Sequence, residues 1–252
     1  MKHCLFLSFF YLFAWPVAGQ NLDSLQLLLN NKSFDQVNNF LKTIIENDTS
    51  SNYQFDVYVN RQIIDSFTEK YIWYAEELNQ TSYHILLLTK NDRIIFCKMT
   101  KDDYSDFPNE ILILHFKENK EISELQKIYK ATYNRNVEPK DFYNQSIEYG
   151  NNCVSDLSHV GNRNYEPWEY VQMKKLVEEK NISELNDWLR SPIAETQIYA
   201  IDGFYQLKKN GYTLTDQEFK LINIIKLKLG TIRVCGDIKN NTIEDVTSKF
   251  QF

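Results

Sequence analysis

The chain has 252 residues, 43% of them hydrophobic and 25% charged, with a formal net charge of −6. This composition excludes a disordered chain and leaves ample apolar material for a core. The acidic balance, with no Lys/Arg block of five or six, argues against a nucleic-acid backbone as partner.

The chain opens on MKHCLFLSFFYLFAWPVAG. Lys2 supplies a positive start, residues 5–15 form an apolar run, and Pro16 breaks it. Val17-Ala18-Gly19 then offers small residues where a signal peptidase cuts. The run is well short of the roughly 20 residues that cross a bilayer core. Residues 1–19 therefore read as an export signal, with the mature chain starting at Gln20 in the periplasm or outside the cell. No later apolar run reaches membrane-spanning length, so no transmembrane segment is expected after cleavage.

Residues 20–134 read as an α+β domain. Leu22, Leu25 and Leu29, then Val37, Leu41 and Ile44, repeat at helical spacing on either side of Asn30-Asn31-Lys32-Ser33, which predicts two short helices. From Tyr53 the pattern turns to β-rich runs: YQFDVYV, YHILLLTK, RIIFCKMT and EILILHF. Residues 61–78 fit either a helix or strands, and the aromatic and β-branched content of KYIWYA favours strands. Asn91-Asp92 suits a tight hairpin. The runs predict an antiparallel meander of four or five strands. Their near-continuous apolarity predicts cover on both faces, from the N-terminal helices and from EISELQKIYKATY.

Residues 135–167 read as an irregular connection with one short helix, opened by Pro139 and closed by Gly150. Residues 168–230 read as an all-α part, with 231–252 as a tail. Asn181 with Glu184, and Thr215 with Glu218, have the spacing of capping boxes. Ser191-Pro192 reads as an N-cap followed by proline at the first helical position, Gly211 as a helix stop, and Gly230 as the end of EFKLINIIKLKL.

The run SELNDWLRSPIAETQIYAIDGFYQLKKNG resembles a helix pair of the HEAT or armadillo class. The resemblance spans about thirty residues, and no second copy at a period of roughly 35–45 residues is visible. It implies a local helical hairpin rather than a solenoid. Together with the export signal and the strand block, SPIAETQIYAIDG also makes the whole chain resemble a group of small, uncharacterised exported bacterial proteins. That resemblance implies no activity and no catalytic residue.

After removal of Cys4 with the leader, Cys97, Cys153 and Cys235 remain, so at most one internal bridge can form. Cys97 lies in a strand and reads as a small buried residue. Cys153 and Cys235 lie in irregular segments and form the candidate disulfide. Such a bridge would close a loop of about 80 residues and stabilise the fold by roughly 4–5 kcal/mol in the chain-entropy account. His84 and His115 fall in predicted strands and read as structural. Cys153, Asp156 and His159 are spaced by three, a metal-capable pattern on a helix, but a fourth ligand is not apparent. Asp102-Asp103 and Glu76-Glu77 read as solvated surface. Phosphate-loop, dinucleotide, HExxH, EF-hand and G-x-S-x-G motifs do not occur. No cofactor is therefore expected.

These readings favour a non-enzymatic exported protein that binds another protein, in an immunity-type, inhibitory or scaffolding role. Two alternatives stand beside it. One is a hydrolase of unrecognised type using Cys153 or His159. The other is a carbohydrate-binding module using Tyr71, Trp73 and Tyr74, or Tyr165 and Trp168.

Overall fold

The computed structural model describes residues 17–47, 53–76, 81–103, 109–142, 167–232 and 241–252. Helices α1 (Val17–Asn31) and α2 (Phe34–Asn47) precede five strands. These are β1 (Tyr53–Ile64), β2 (Phe67–Glu76), β3 (Thr81–Lys90), β4 (Arg93–Asp103) and β5 (Asn109–Lys117). They form one antiparallel sheet in the order β1-β2-β3-β4-β5. The ambiguous stretch is thus strand: it completes β1 and supplies β2. Asp65 (φ 47°) and Asn91 (φ 55°) take the left-handed conformation in the β1–β2 and β3–β4 turns, as tight hairpins require.

Each face of the sheet has its own apolar cluster. On one, Ile72, Tyr74, Ile85, Leu87, Cys97 and Met99 pack against Leu25, Leu29, Val37 and Leu41 of α1 and α2. On the other, Val59, Ile63, Phe67, Tyr71, Leu86 and Leu88 meet Ile122, Leu125, Tyr129 and Tyr133 of α3 (Asn119–Tyr133). The C-terminal helices join this second cluster. Two covered faces explain why HILLL shows no alternation: both sets of side chains leave water.

After α3, Pro139–Phe142 is a single 3₁₀ turn; the rest of the segment to Gly150 lies outside the described residues. Helices α4 (Trp168–Glu178), α5 (Ile182–Leu189), α6 (Ala194–Lys209) and α7 (Asp216–Lys226) follow. The short strands β6 (Thr231–Ile232) and β7 (Asn241–Thr242) pair, and α8 (Ile243–Thr247) closes the described chain. Helix α6 packs on both α4 and α5. Gly203 allows it: a Cβ there would lie 2.8 Å from Leu185 Cδ2.

Three sequence expectations are corrected locally. The Thr215–Glu218 box forms in full, but Asn181 and Glu184 make only half of one. The Asn181 N–H already donates to the Leu176 carbonyl, and the Glu184 carboxylate accepts from the Trp188 indole. Ser191 does not cap α6. Its hydroxyl accepts from the Ile193 N–H, and the helix starts at Ala194, two residues beyond Pro192. Helix α7 stops at Lys226, four residues before Gly230.

Candidate functional site

Arg61 of β1 and Glu69 of β2 face each other across the first hairpin, and Arg61 Nε donates to Glu69 Oε2 at 3.0 Å. Glu195, in the first turn of α6, reaches down from above and accepts from Arg61 Nη1 at 2.6 Å. All three side chains are essentially closed to solvent. Lys228, just past α7, enters the same region. Its Nζ donates to Gln197 Oε1 at 2.8 Å and lies 5.3 Å from the Tyr133 ring centroid. Gln197 is oriented in turn by donating to the Leu189 carbonyl at 3.2 Å. The cluster therefore draws residues from the sheet, from α6 and from the segment after α7.

Burial and mutual charge set its electrostatics. Burial by itself would lower the Arg61 guanidinium, but Glu195 and Glu69 outweigh that and hold its pKa above the ordinary value. Burial raises the Glu69 carboxyl, against the pull of Arg61. Burial and the Arg61 charge push the Lys228 ammonium down to about 7. Arg61 Nη2, Glu69 Oε1 and Glu195 Oε2 find no hydrogen-bond partner among the described residues. A buried polar atom left this way costs about 1–3 kcal/mol. Such a group is poorly explained as a device for stability alone.

The consequence for the surface is an inversion. Lys228 is 7% exposed, while its neighbours Leu227 and Leu229 are 78% and 75% exposed. Burying a leucine is worth roughly 1.5–3 kcal/mol, and taking an ammonium out of water costs several. Both terms oppose this arrangement. Backbone contacts hold it in place. Gly230 bridges to Arg61 on the outer edge of β1, and Gln62 N–H donates to the Leu229 carbonyl at 2.8 Å. Gly230 has φ 120°, and a Cβ there would fall 2.3 Å from Arg61 Cα, so only glycine fits. Phe219 of α7, eight residues before Leu227, is itself 47% exposed.

The residues singled out from sequence fall elsewhere. Cys153, Asp156, His159, Tyr165 and Cys235 lie outside the described residues. Cys97 is buried and its thiol is pushed up to about 12 by burial, as suits a small core residue. His84 is held at both ring nitrogens: Nδ1 faces the Tyr71 hydroxyl and Nε2 donates to Asp102 Oδ2 at 2.8 Å. Asp102 also accepts from Ser82, so it is not a plain solvated carboxylate. His115 is exposed, with its ring edge-on to Phe96. Tyr71 and Tyr74 are buried on opposite faces of the sheet, and Trp73 is half-buried, so the three do not form one stacking surface. Trp168 is 65% exposed.

A polar depression of about 520 Å³ lies between α3 and α5, but its arginines are engaged: Arg135 with the Asp187 carbonyl, Arg190 with that of Asn186. Among the described residues, no group of three His, Cys, Asp or Glu side chains could hold a metal ion, and no helix is long and apolar enough to cross a membrane.

Sequence reading missed Arg61, Glu69, Glu195 and Lys228, because no motif spacing links positions 134 residues apart. Nothing in the local pattern of KLKLG marks Lys228 for burial. No family model, no curated protein and no solved structure matches the chain.

Proposed function

We propose that this is an exported binding protein that engages another protein through Leu227 and Leu229, with Phe219 at the margin of the contact. The inverted segment carries the reading. Two leucines are held in water at an energetic disadvantage by a lysine drawn inward, and apolar surface displayed against its own preference is the physical mark of an interaction site. The leader-like residues 1–19 support export. Burying both leucines at an interface would contribute about 3–6 kcal/mol, some two to four orders of magnitude in affinity.

The test places a photo-cross-linking side chain at Leu227 or Leu229 in the native cell and identifies adducts by mass spectrometry. A defined protein adduct is expected. Its recovery should fall at least about tenfold in a Leu227→Ser/Leu229→Ser variant probed from Phe219. Because both leucines are exposed, that variant should keep its stability within about 0.5 kcal/mol per site. Absence of any adduct, or an adduct indifferent to the serines, would refute the assignment.

A further inference from the structure

We propose that two copies of this chain pair edge to edge through β5, forming one continuous antiparallel sheet across a two-fold axis. The two edges of the five-stranded sheet are treated differently. The β1 edge is occupied towards its C-terminal end: Gln62 N–H donates to Leu229 O, Asn60 N–H donates to Thr231 Oγ1, and Gly230 bridges to Arg61. Strand β5 pairs with β4 on one side, and no described residue hydrogen-bonds to its other side. It is nine residues long and strongly apolar at its centre, with Ile111 45% and Leu112 59% exposed. An edge of this length and apolarity is one that soluble proteins cover.

The sequence of β5 and its bulge specify what covers it. Against β4, Glu110 pairs with Asp102, Leu112 with Thr100, His115 with Lys98 and Lys117 with Phe96. The register slips by one at Ile113. Residues 110, 112, 115 and 117 therefore share one face and 111, 114 and 116 the other, where Ile113 packs against the same cluster as Leu114 and Phe116. A two-fold axis perpendicular to the sheet keeps each face on its own side, so paired residues must share a face. One register does this over the whole strand: Glu110 opposite Lys117 of the second copy, Ile111 opposite Phe116, Leu112 opposite His115, and Ile113 opposite Leu114. The bulge makes the facing pattern read the same from both ends. This register also sets opposite charges against each other twice and gathers the apolar residues between them. A strand from an unrelated protein would have no reason to match that symmetry. The surface lies on the opposite edge of the sheet from Leu229, so the pairing neither needs nor blocks the binding reading above.

Sedimentation equilibrium of the intact chain, from micromolar to near-millimolar concentration, tests it. A reversible monomer–dimer equilibrium is expected. Backbone amides of residues 109–117 should gain protection from hydrogen exchange as the concentration rises. Glu110→Lys and Lys117→Glu should each weaken the dimer about tenfold by placing like charges opposite at two symmetric positions. The double variant should restore it to within about twofold. Circular dichroism confirms that each variant is folded; should Glu110→Lys not fold, Leu112→Lys takes its place and must abolish the dimer. A chain that stays monomeric, a dimer indifferent to both reversals, or one the double variant does not rescue would each overturn the proposal. Protection of 109–117 independent of concentration would do the same.

Discussion

Lys228 is the residue on which the candidate site turns, and its titration can be read from outside. In the unfolded chain the ammonium has its ordinary value near 10.5; in the folded chain burial and Arg61 bring it to about 7. Below about pH 7 both states carry the proton and the folded state bears the full burden of a buried charge. As pH rises from about 7 towards 10.5, the folded state has released its proton while the unfolded state keeps it. The unfolded state then binds more protons, so this group makes stability increase with pH across that window. Glu69 acts with the opposite sign. Its raised carboxyl holds a proton longer in the folded state, so its contribution falls as pH rises through the range above 4.5. The urea midpoint should therefore shift upward between pH 7 and pH 9 more in the natural chain than in Lys228→Met. Equal shifts in the two proteins would show that Lys228 is not held in this state.

At the scale of elements, the segment after α7 acts as a strap laid against β1. Its position depends on Gly230, where a side chain would collide with the Arg61 backbone and where φ 120° is closed to other residues. Gly230→Ala cannot be absorbed by rotating a flexible side chain, because the atoms met are Arg61 Cα and the Asn60 carbonyl oxygen. We expect a loss of more than about 2 kcal/mol in urea unfolding. The strap should also move, seen as faster hydrogen exchange at Gln62 and Asn60. A loss below 0.5 kcal/mol, the size usual for a surface substitution, would mean that the strap is not pinned there. The same segment carries Leu227 and Leu229, so a displaced strap should also lose the cross-linked partner.

At the scale of the molecule, the sheet is shared. One apolar cluster runs from Val59, Phe67 and Leu88 through α3 to Phe204, Ile222 and Phe250 in the C-terminal helices and tail. The helices cannot leave without exposing a sheet face. Unfolding followed by tryptophan fluorescence, from Trp73 in the sheet and Trp168 and Trp188 in the helices, should coincide with the far-ultraviolet circular dichroism transition. Two separated transitions would mean that the sheet keeps its structure without the helical cover.

The amino-acid sequence alone determined what depends on near neighbours. Two leucine-spaced helices, a meander with an Asn91-Asp92 turn, the Thr215–Glu218 capping box and the mixed α+β class all follow from periods of two and 3.6 and from contacts three residues apart. Tertiary structure decided which distant charges meet. It brought Glu195 to Arg61, sent Lys228 inward between two exposed leucines, and set Asp102 against His84, which the sequence had left as a solvated carboxylate and a structural strand histidine. The reason is physical: a side chain's local pattern states how apolar its surroundings should be, whereas the partner of a buried charge is whatever the packing of remote elements places within hydrogen-bonding distance.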